Sequence, residues 1–297
     1  MAKIYEHNFT IPLVAALVVL AVLLGVYFSM DGQKEPPEVT TPEPVESTTE
    51  PEETSEPMPS VSFKSDLSAF EEAMTASGEE YLVLVNKTTL LPSTYKPGSL
   101  AAVKDAKKEI ELEATAERAL EAMFLEMRAC GYKDVFVTSA YRSYDYQVWL
   151  FNYYIEEEKS KDRTLSDAEA REKVLRYSAA PGTSEHQSGL CVDLMTNAMR
   201  ELDESFAEYP VFDWLSENAW KFGFILRYPE DKTEITGIGY EPWDYRYVGR
   251  KAAAEMKELG LCLEEYIQML ENPIPAEQEL SDAPMKEVNQ ETANAVS

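Results

Sequence analysis

Residues 184–193 read Ser184-Glu185-His186-Gln187-Ser188-Gly189-Leu190-Cys191-Val192-Asp193, a polar loop that runs into the short β-like segment Val192–Met195. The chain has two histidines, and the other, His7, lies before a long apolar segment. A metal site or histidine-dependent catalyst in the main body of the chain is therefore confined to His186, with the Asp193 carboxylate seven residues on. Gly189 serves either a turn or a close backbone approach.

Working outward, Val135–Ser139 reads as a strand leading into Ala140-Tyr141-Arg142-Ser143-Tyr144. Helices follow over Asp145–Lys159 and over Asp167–Tyr177, the second capped by Ser166 or Asp167. Pro181-Gly182 punctuates the chain before His186. After Asp193, Val211–Phe222 is predicted as a helix and Phe224–Tyr228 as a strand. A loop then leads to Gly239–Gly249, and Lys251–Leu270 closes as a helix. Upstream, Tyr81–Val85 reads as a buried strand by its β-branched content. Ile110–Cys130 has the three-and-four apolar spacing of an amphipathic helix, stopped at Gly131. Helices and short strands in irregular order predict an α+β fold with a small antiparallel sheet flanked by helices.

The ends of the chain have another character. Phe9–Met30 carries no charge, and at ~1.5 Å per residue it covers a hydrocarbon core of ~30 Å. It reads as an uncleaved signal anchor, with residues 1–8 as a cytoplasmic head and the bulk of the chain outside a single-pass cell membrane. Residues 31–60 contain seven prolines and eight glutamates; such a segment buries too little apolar surface to offset the entropy of folding and reads as a disordered tether. The globular domain is then 61–271, and 272–297 reads as a disordered tail. The net charge of −27 argues against nucleic acid and against an anionic membrane surface as partners, since each phosphate contact needs a cation. Cys130, Cys191 and Cys262 are an odd number, so at most one disulfide forms, with Cys130 and Cys262 as one pairing.

Four blocks, SAYRSYDYQ at Ser139–Gln147, SEHQSGLCVDL at Ser184–Leu194, WKFGFILRYP at Trp220–Pro229 and YEPWDYRYVG at Tyr240–Gly249, together resemble the VanY-type D-alanyl-D-alanine carboxypeptidases of the M15 metallopeptidase family. The resemblance covers about 110 residues. It implies a zinc D-Ala-D-Ala peptidase-like fold and a peptidoglycan stem peptide as partner. It places His186 and Asp193 on two zinc-ligand positions, Glu241 on the general base and Arg142 on the substrate arginine. Ser184 and Gln147 fall where they can hydrogen-bond the terminal D-alanine, with capping as the competing role. The third ligand, histidine in the family, is Asp244 here.

These residue types suit the chemistry. Peptide hydrolysis at neutral pH needs a metal to polarise the carbonyl and acidify water, and a carboxylate to take that water's proton. A guanidinium such as Arg142 reads a terminal carboxylate with two parallel hydrogen bonds. Aspartate is a legitimate zinc ligand and suits other divalent ions as well. Yet two carboxylates and one imidazole neutralise the dication, so lower activity is expected. Two functions stand: a membrane-anchored metal-dependent carboxypeptidase trimming the terminal D-alanine of stem peptides, and a degenerate relative that binds wall peptide or regulates a partner. The same blocks occur in L,D-carboxypeptidases.

Overall fold

The computed structural model describes residues 61–272. The predicted signal anchor, the tether and all but the first residue of the predicted tail lie outside the described residues. Among the described residues, no helix is long and apolar enough to cross a membrane.

The chain begins with a short helix, α1 (Glu71–Thr75), and a small hairpin of β1 (Leu100–Ala102) and β2 (Glu111–Glu113), then enters α2 (Ala114–Ala129). The helix starts four residues later than its periodicity predicts. Glu113 caps it, its carboxylate accepting from the Thr115 and Ala116 amides at 2.8 and 3.0 Å, while Leu112 just before the cap is buried from a strand. Next come β3 (Val135–Ser139), α3 (Tyr144–Lys161) and α4 (Asp167–Val174), the last opened by a Ser166–Glu169 capping box. β4 (Cys191–Thr196), α5 (Pro210–Asn218), β5 (Phe224–Tyr228), β6 (Glu241–Tyr247), α6 (Arg250–Leu259) and α7 (Leu263–Glu271) complete the order.

β3, β4, β6 and β5 form one antiparallel sheet in that spatial order. Side chains alternate across a sheet, and the alternation separates two jobs. Val137, Val192, Leu194, Phe224, Tyr245 and Tyr247 share one buried cluster with Leu120, Met123, Phe124 and Met127 of α2. At about 1.5–3 kcal/mol for each large apolar side chain, this face sets how the sheet sits on α2. The opposite face carries Cys191, Asp193, Asp244, Arg246 and Arg227. The α+β fold with a small antiparallel sheet matches the expectation from sequence.

Two predicted elements differ. Tyr81–Val85 is not a strand: the Tyr81 and Val83 carbonyls accept from Arg246 Nη2 at 3.0 and 2.9 Å, so a side chain takes the place of a neighbouring strand. The predicted helix over Lys251–Leu270 is two helices, α6 and α7, because Gly260 turns left-handed (φ 67°) and ends the first. All three cysteines are free, so no disulfide joins Cys130 and Cys262.

Candidate metal and peptide site

His186 sits in a 3-10 turn, Glu185–Ser188, that ends at Gly189 with φ 73°. A side chain at Gly189 would be strained by that φ, and its Cβ would meet Pro97 Cγ at 2.7 Å. The turn and a close approach both operate here. The turn is tied to the loop after β3 by Arg142 N–H donating to the His186 carbonyl at 3.0 Å. His186 Nδ1 lies 2.7 Å from the Ala140 carbonyl oxygen. A carbonyl can only accept, so Nδ1 carries a proton, and in the neutral ring it is Nε2 that offers the lone pair.

That lone pair faces two carboxylates. Asp193 of β4 and Asp244 of β6 are direct cross-strand partners, which brings them together on one face. His186 Nε2 is 3.4 Å from Asp193 Oδ1 and 3.9 Å from Asp244 Oδ2. One donor atom from each of the three lies within 4.8 Å of the others, and all three residues are buried. Around a tetrahedral ion with ligand bonds of ~2.0–2.1 Å, donor atoms stand ~3.3–3.5 Å apart. The set therefore fits zinc, with Asp244 slightly wide. Asp244 Oδ1 is buried and has no hydrogen-bond partner, an acceptor that a cation would satisfy.

Glu241 opens β6, opposite Tyr228. Between this pair and the Leu226–Tyr245 pair, β5 advances two residues while β6 advances four. That irregularity bends β6 between Glu241 and Asp244, whose three-residue spacing would put them on opposite faces of a regular strand. Burial, followed by the Asp193 charge, pushes the Glu241 carboxyl up to about 7. Burial, then Asp193 and Glu241, holds Asp244 well above the usual carboxylate range. Burial pushes Asp193 up as well, but His186, Arg142 and Ser139 beside it outweigh that and bring it below its ordinary value.

These shifts set a pH dependence. Glu241, raised when folded, contributes stability that is fully present below its unfolded value near 4.5 and is lost as pH rises through about 7. Metal-free protein is expected to lose a few kcal/mol between pH 5 and 8, and zinc to restore it at the upper end. Thermal unfolding at both pH values, with chelator and with zinc, measures this; a metal-free melting temperature that holds steady or rises over that range would refute it.

The remaining site residues surround this cluster. Ser184 Oγ lies 3.4 Å from Arg142 Nη2. Arg142 makes no ion pair among the described residues, and its Nε is buried without a partner. Gln147 donates from Nε2 to the Ala179 carbonyl at 2.7 Å, leaving its buried Oε1 unpartnered. Cys191 is buried, with Sγ 3.3 Å from Glu185 Oε2; burial, with the Asp244 and Glu185 charges, pushes its thiol well up. It stays a thiol and fills space.

Behind His186, Asp193 and Asp244 lies a buried network of charges that the motif pattern does not announce. Glu185, fully buried beside His186, has Oε2 2.8 Å from Arg246 Nη1. Its Oε1 lies 2.9 Å from Arg227 Nε, close enough for an ion pair although not aligned for a hydrogen bond. Arg227 in turn holds Glu264 of α7 through two bonds of 2.9 and 2.7 Å. Burial alone would raise the Glu185 carboxyl; Arg227 and Arg246 outweigh it and keep the group ionised. The available signal is an arginine inside each of two strands rich in apolar and aromatic residues, FILRY and EPWDYRY.

The sequence profile of the VanY D-alanyl-D-alanine carboxypeptidase family matches residues 109–250. The D-alanyl-D-alanine carboxypeptidase of Enterococcus faecalis is 38% identical over 186 residues, 63% of this chain and 65% of that protein's length. The bifunctional D-Ala-D-Ala dipeptidase and D-Ala-D-Ala carboxypeptidase VanXYC of Enterococcus gallinarum is 32% identical, over 62% of this chain and 92% of its own. Among solved structures, the vancomycin resistance D,D-pentapeptidase VanY in complex with Zn(II) is 37% identical with a TM-score of 0.53, covering 63% of this chain and 99% of that one.

Proposed function

The chain belongs to the VanY D-alanyl-D-alanine carboxypeptidase family, and from that premise we propose that it hydrolyses the C-terminal D-alanine of peptidoglycan stem peptides, held at the cell surface by residues 9–30. The observation that carries this reading is the convergence of His186 Nε2, Asp193 and Asp244 within 4.8 Å, beside the Glu241 carboxylate and the Arg142 guanidinium, which has no ion pair among the described residues. His186, Asp193 and Asp244 would hold one zinc ion, which when bound would supply a Lewis acid to polarise the scissile carbonyl and acidify water.

The chain's own residues do the rest. Arg142, with no carboxylate of its own among the described residues, receives the terminal carboxylate of the peptide. Ser184 and Gln147 orient that end, Gln147 through its unpartnered Oε1. Glu241, ionised, takes the proton of the attacking water and returns it to the leaving amine. The Ala140 carbonyl keeps the His186 proton on Nδ1, so Nε2 remains a ligand. Protease added to intact cells is expected to remove residues 61–271, and protection of that domain would reverse the topology.

The test is release of D-alanine from a D-Ala-D-Ala pentapeptide, with and without chelator, by the native chain and by Asp244→His. Asp244 must be ionised to bind metal, and burial with the Asp193 and Glu241 charges raises its pKa, which weakens binding. A neutral imidazole has no such proton to displace. Asp244→His is expected to bind zinc more tightly at pH 7 and to turn over faster. Absence of D-alanine release from both proteins would leave the degenerate reading, in which the cleft only binds wall peptide.

A further inference from the structure

α3 follows directly from the loop that carries Arg142, and over 18 residues it fully buries only Gln147 and Phe151. Its main packing partner is α4. On its outer side Tyr146, Trp149 and Tyr153 are 47%, 57% and 52% exposed. Their three- and four-residue spacing lines them along one face. The rings stand in series, with centroids 5.4 Å apart from Tyr146 to Trp149 and 5.7 Å from Trp149 to Tyr153. Tyr154 continues the series to Tyr177, which is 54% exposed. Contiguous exposed apolar surface on a folded domain marks a contact site, and none of these rings has a role in the chemistry above.

We infer that this aromatic stripe is a stacking platform for the pyranose rings of the glycan that bears the stem peptide, an inference that rests on the peptide reading above. The surface suits sugars: flat ring faces for C–H contact, phenolic hydroxyls at the edges, and the Asp145 acceptor on the same helix, whose Glu156 and Glu157 are ion-paired with Lys159 and Lys161. It is not suited to an anionic bilayer, which the chain's charge of −27 repels. Nearness along the chain to the loop that carries Arg142 supplies the second argument. Tyr146 lies one helical turn beyond Ser143, the α3 N-cap that follows Arg142. A stem of about five residues reaches roughly 17 Å when extended, and Tyr146 to Tyr153 spans about 10 Å of helix. A peptide whose end sits at Arg142 therefore leaves its sugar within reach of the stripe.

The test uses the full-length chain in detergent and two substrates. Insoluble wall glycan stripped of its peptides is mixed with native protein, with Trp149→Ala/Tyr153→Ala and with Trp149→Phe, and the bound fraction is pelleted. The double variant is expected to bind at least tenfold more weakly and Trp149→Phe to retain most binding, while both release D-alanine from a free pentapeptide within twofold of native. Native protein that does not pellet, or a double variant that pellets equally, overturns the platform. Equal pelleting combined with weaker flotation on lipid vesicles assigns the stripe to a bilayer instead, and loss of glycan binding with an equal loss of peptide turnover and melting temperature makes it structural. If no protein cleaves the free pentapeptide, the peptidase reading fails, and the pelleting arm still decides the platform.

Discussion

Glu241→Gln is expected to lower turnover of a D-Ala-D-Ala pentapeptide by about 10²–10⁴-fold, the usual contribution of a positioned general base. Glutamine keeps the size and hydrogen-bonding reach of glutamate but cannot accept a proton from water. Zinc binding should be nearly unchanged, because the ligands are His186, Asp193 and Asp244. The native enzyme's pH profile carries the same signature. Glu241 must be ionised to act, and burial with the Asp193 charge pushes it up to about 7 in the metal-free site. A bound dication lowers that value, so kcat/KM is expected to fall on the acid side at or below pH 7, and Glu241→Gln to lose that limb. Turnover within tenfold of native, at equal zinc occupancy, would move the base to another residue.

Replacing Glu185 with alanine is expected to destabilise the fold by about 3–5 kcal/mol, the cost of leaving a buried charge without its partner. Against a total of about 5–15 kcal/mol, that is enough to unfold a large fraction of molecules. The reason is where the carboxylate sits. Arg227 and Arg246 are both fully buried, and among the described residues Glu185 is the one carboxylate that touches both guanidiniums. Without it Arg246 retains only the carbonyls of Tyr81, Val83 and Tyr247, which do not neutralise it. Glu185→Gln, which preserves hydrogen-bonding capacity but not charge, should lose less. Because Glu185 shares its turn with His186, zinc affinity is expected to fall with stability in both. Urea unfolding in chelator measures the first effect; an alanine variant within 1 kcal/mol of native would show that the network is not structural.

Strands with strong local character were legible before the structure. Val135–Ser139 and Phe224–Tyr228 have the predicted bounds, since their β-branched and aromatic residues agree with their tertiary setting. Tyr81–Val85 has the same local character and no partner strand, because its Tyr81 and Val83 carbonyls are claimed by a side chain over 160 residues away in sequence. The single predicted helix over 251–270 ignored a glycine whose left-handed conformation is a backbone property, invisible to hydrophobic periodicity. The arginines of the buried charge network were missed for a related reason. An arginine in a strand reads as solvated unless its partner is known, and Glu185 is 42 residues from one and 61 from the other.

One imidazole in the body of the chain confines any histidine-based site to His186, and that conclusion needs only the order of residues, because composition is local. The proximity of Asp244 to that imidazole is of a different kind. It follows from the pairing of Asp193 with Asp244 across β4 and β6, a register that side-chain alternation and burial of Val192, Leu194, Tyr245 and Tyr247 against α2 enforce together. A slip of one residue would send Asp244 into the core. Register is a long-range property, selected by packing over the whole sheet, so the Asp244 carboxylate acquires its position beside His186, and with it a chemical role, only in the folded protein.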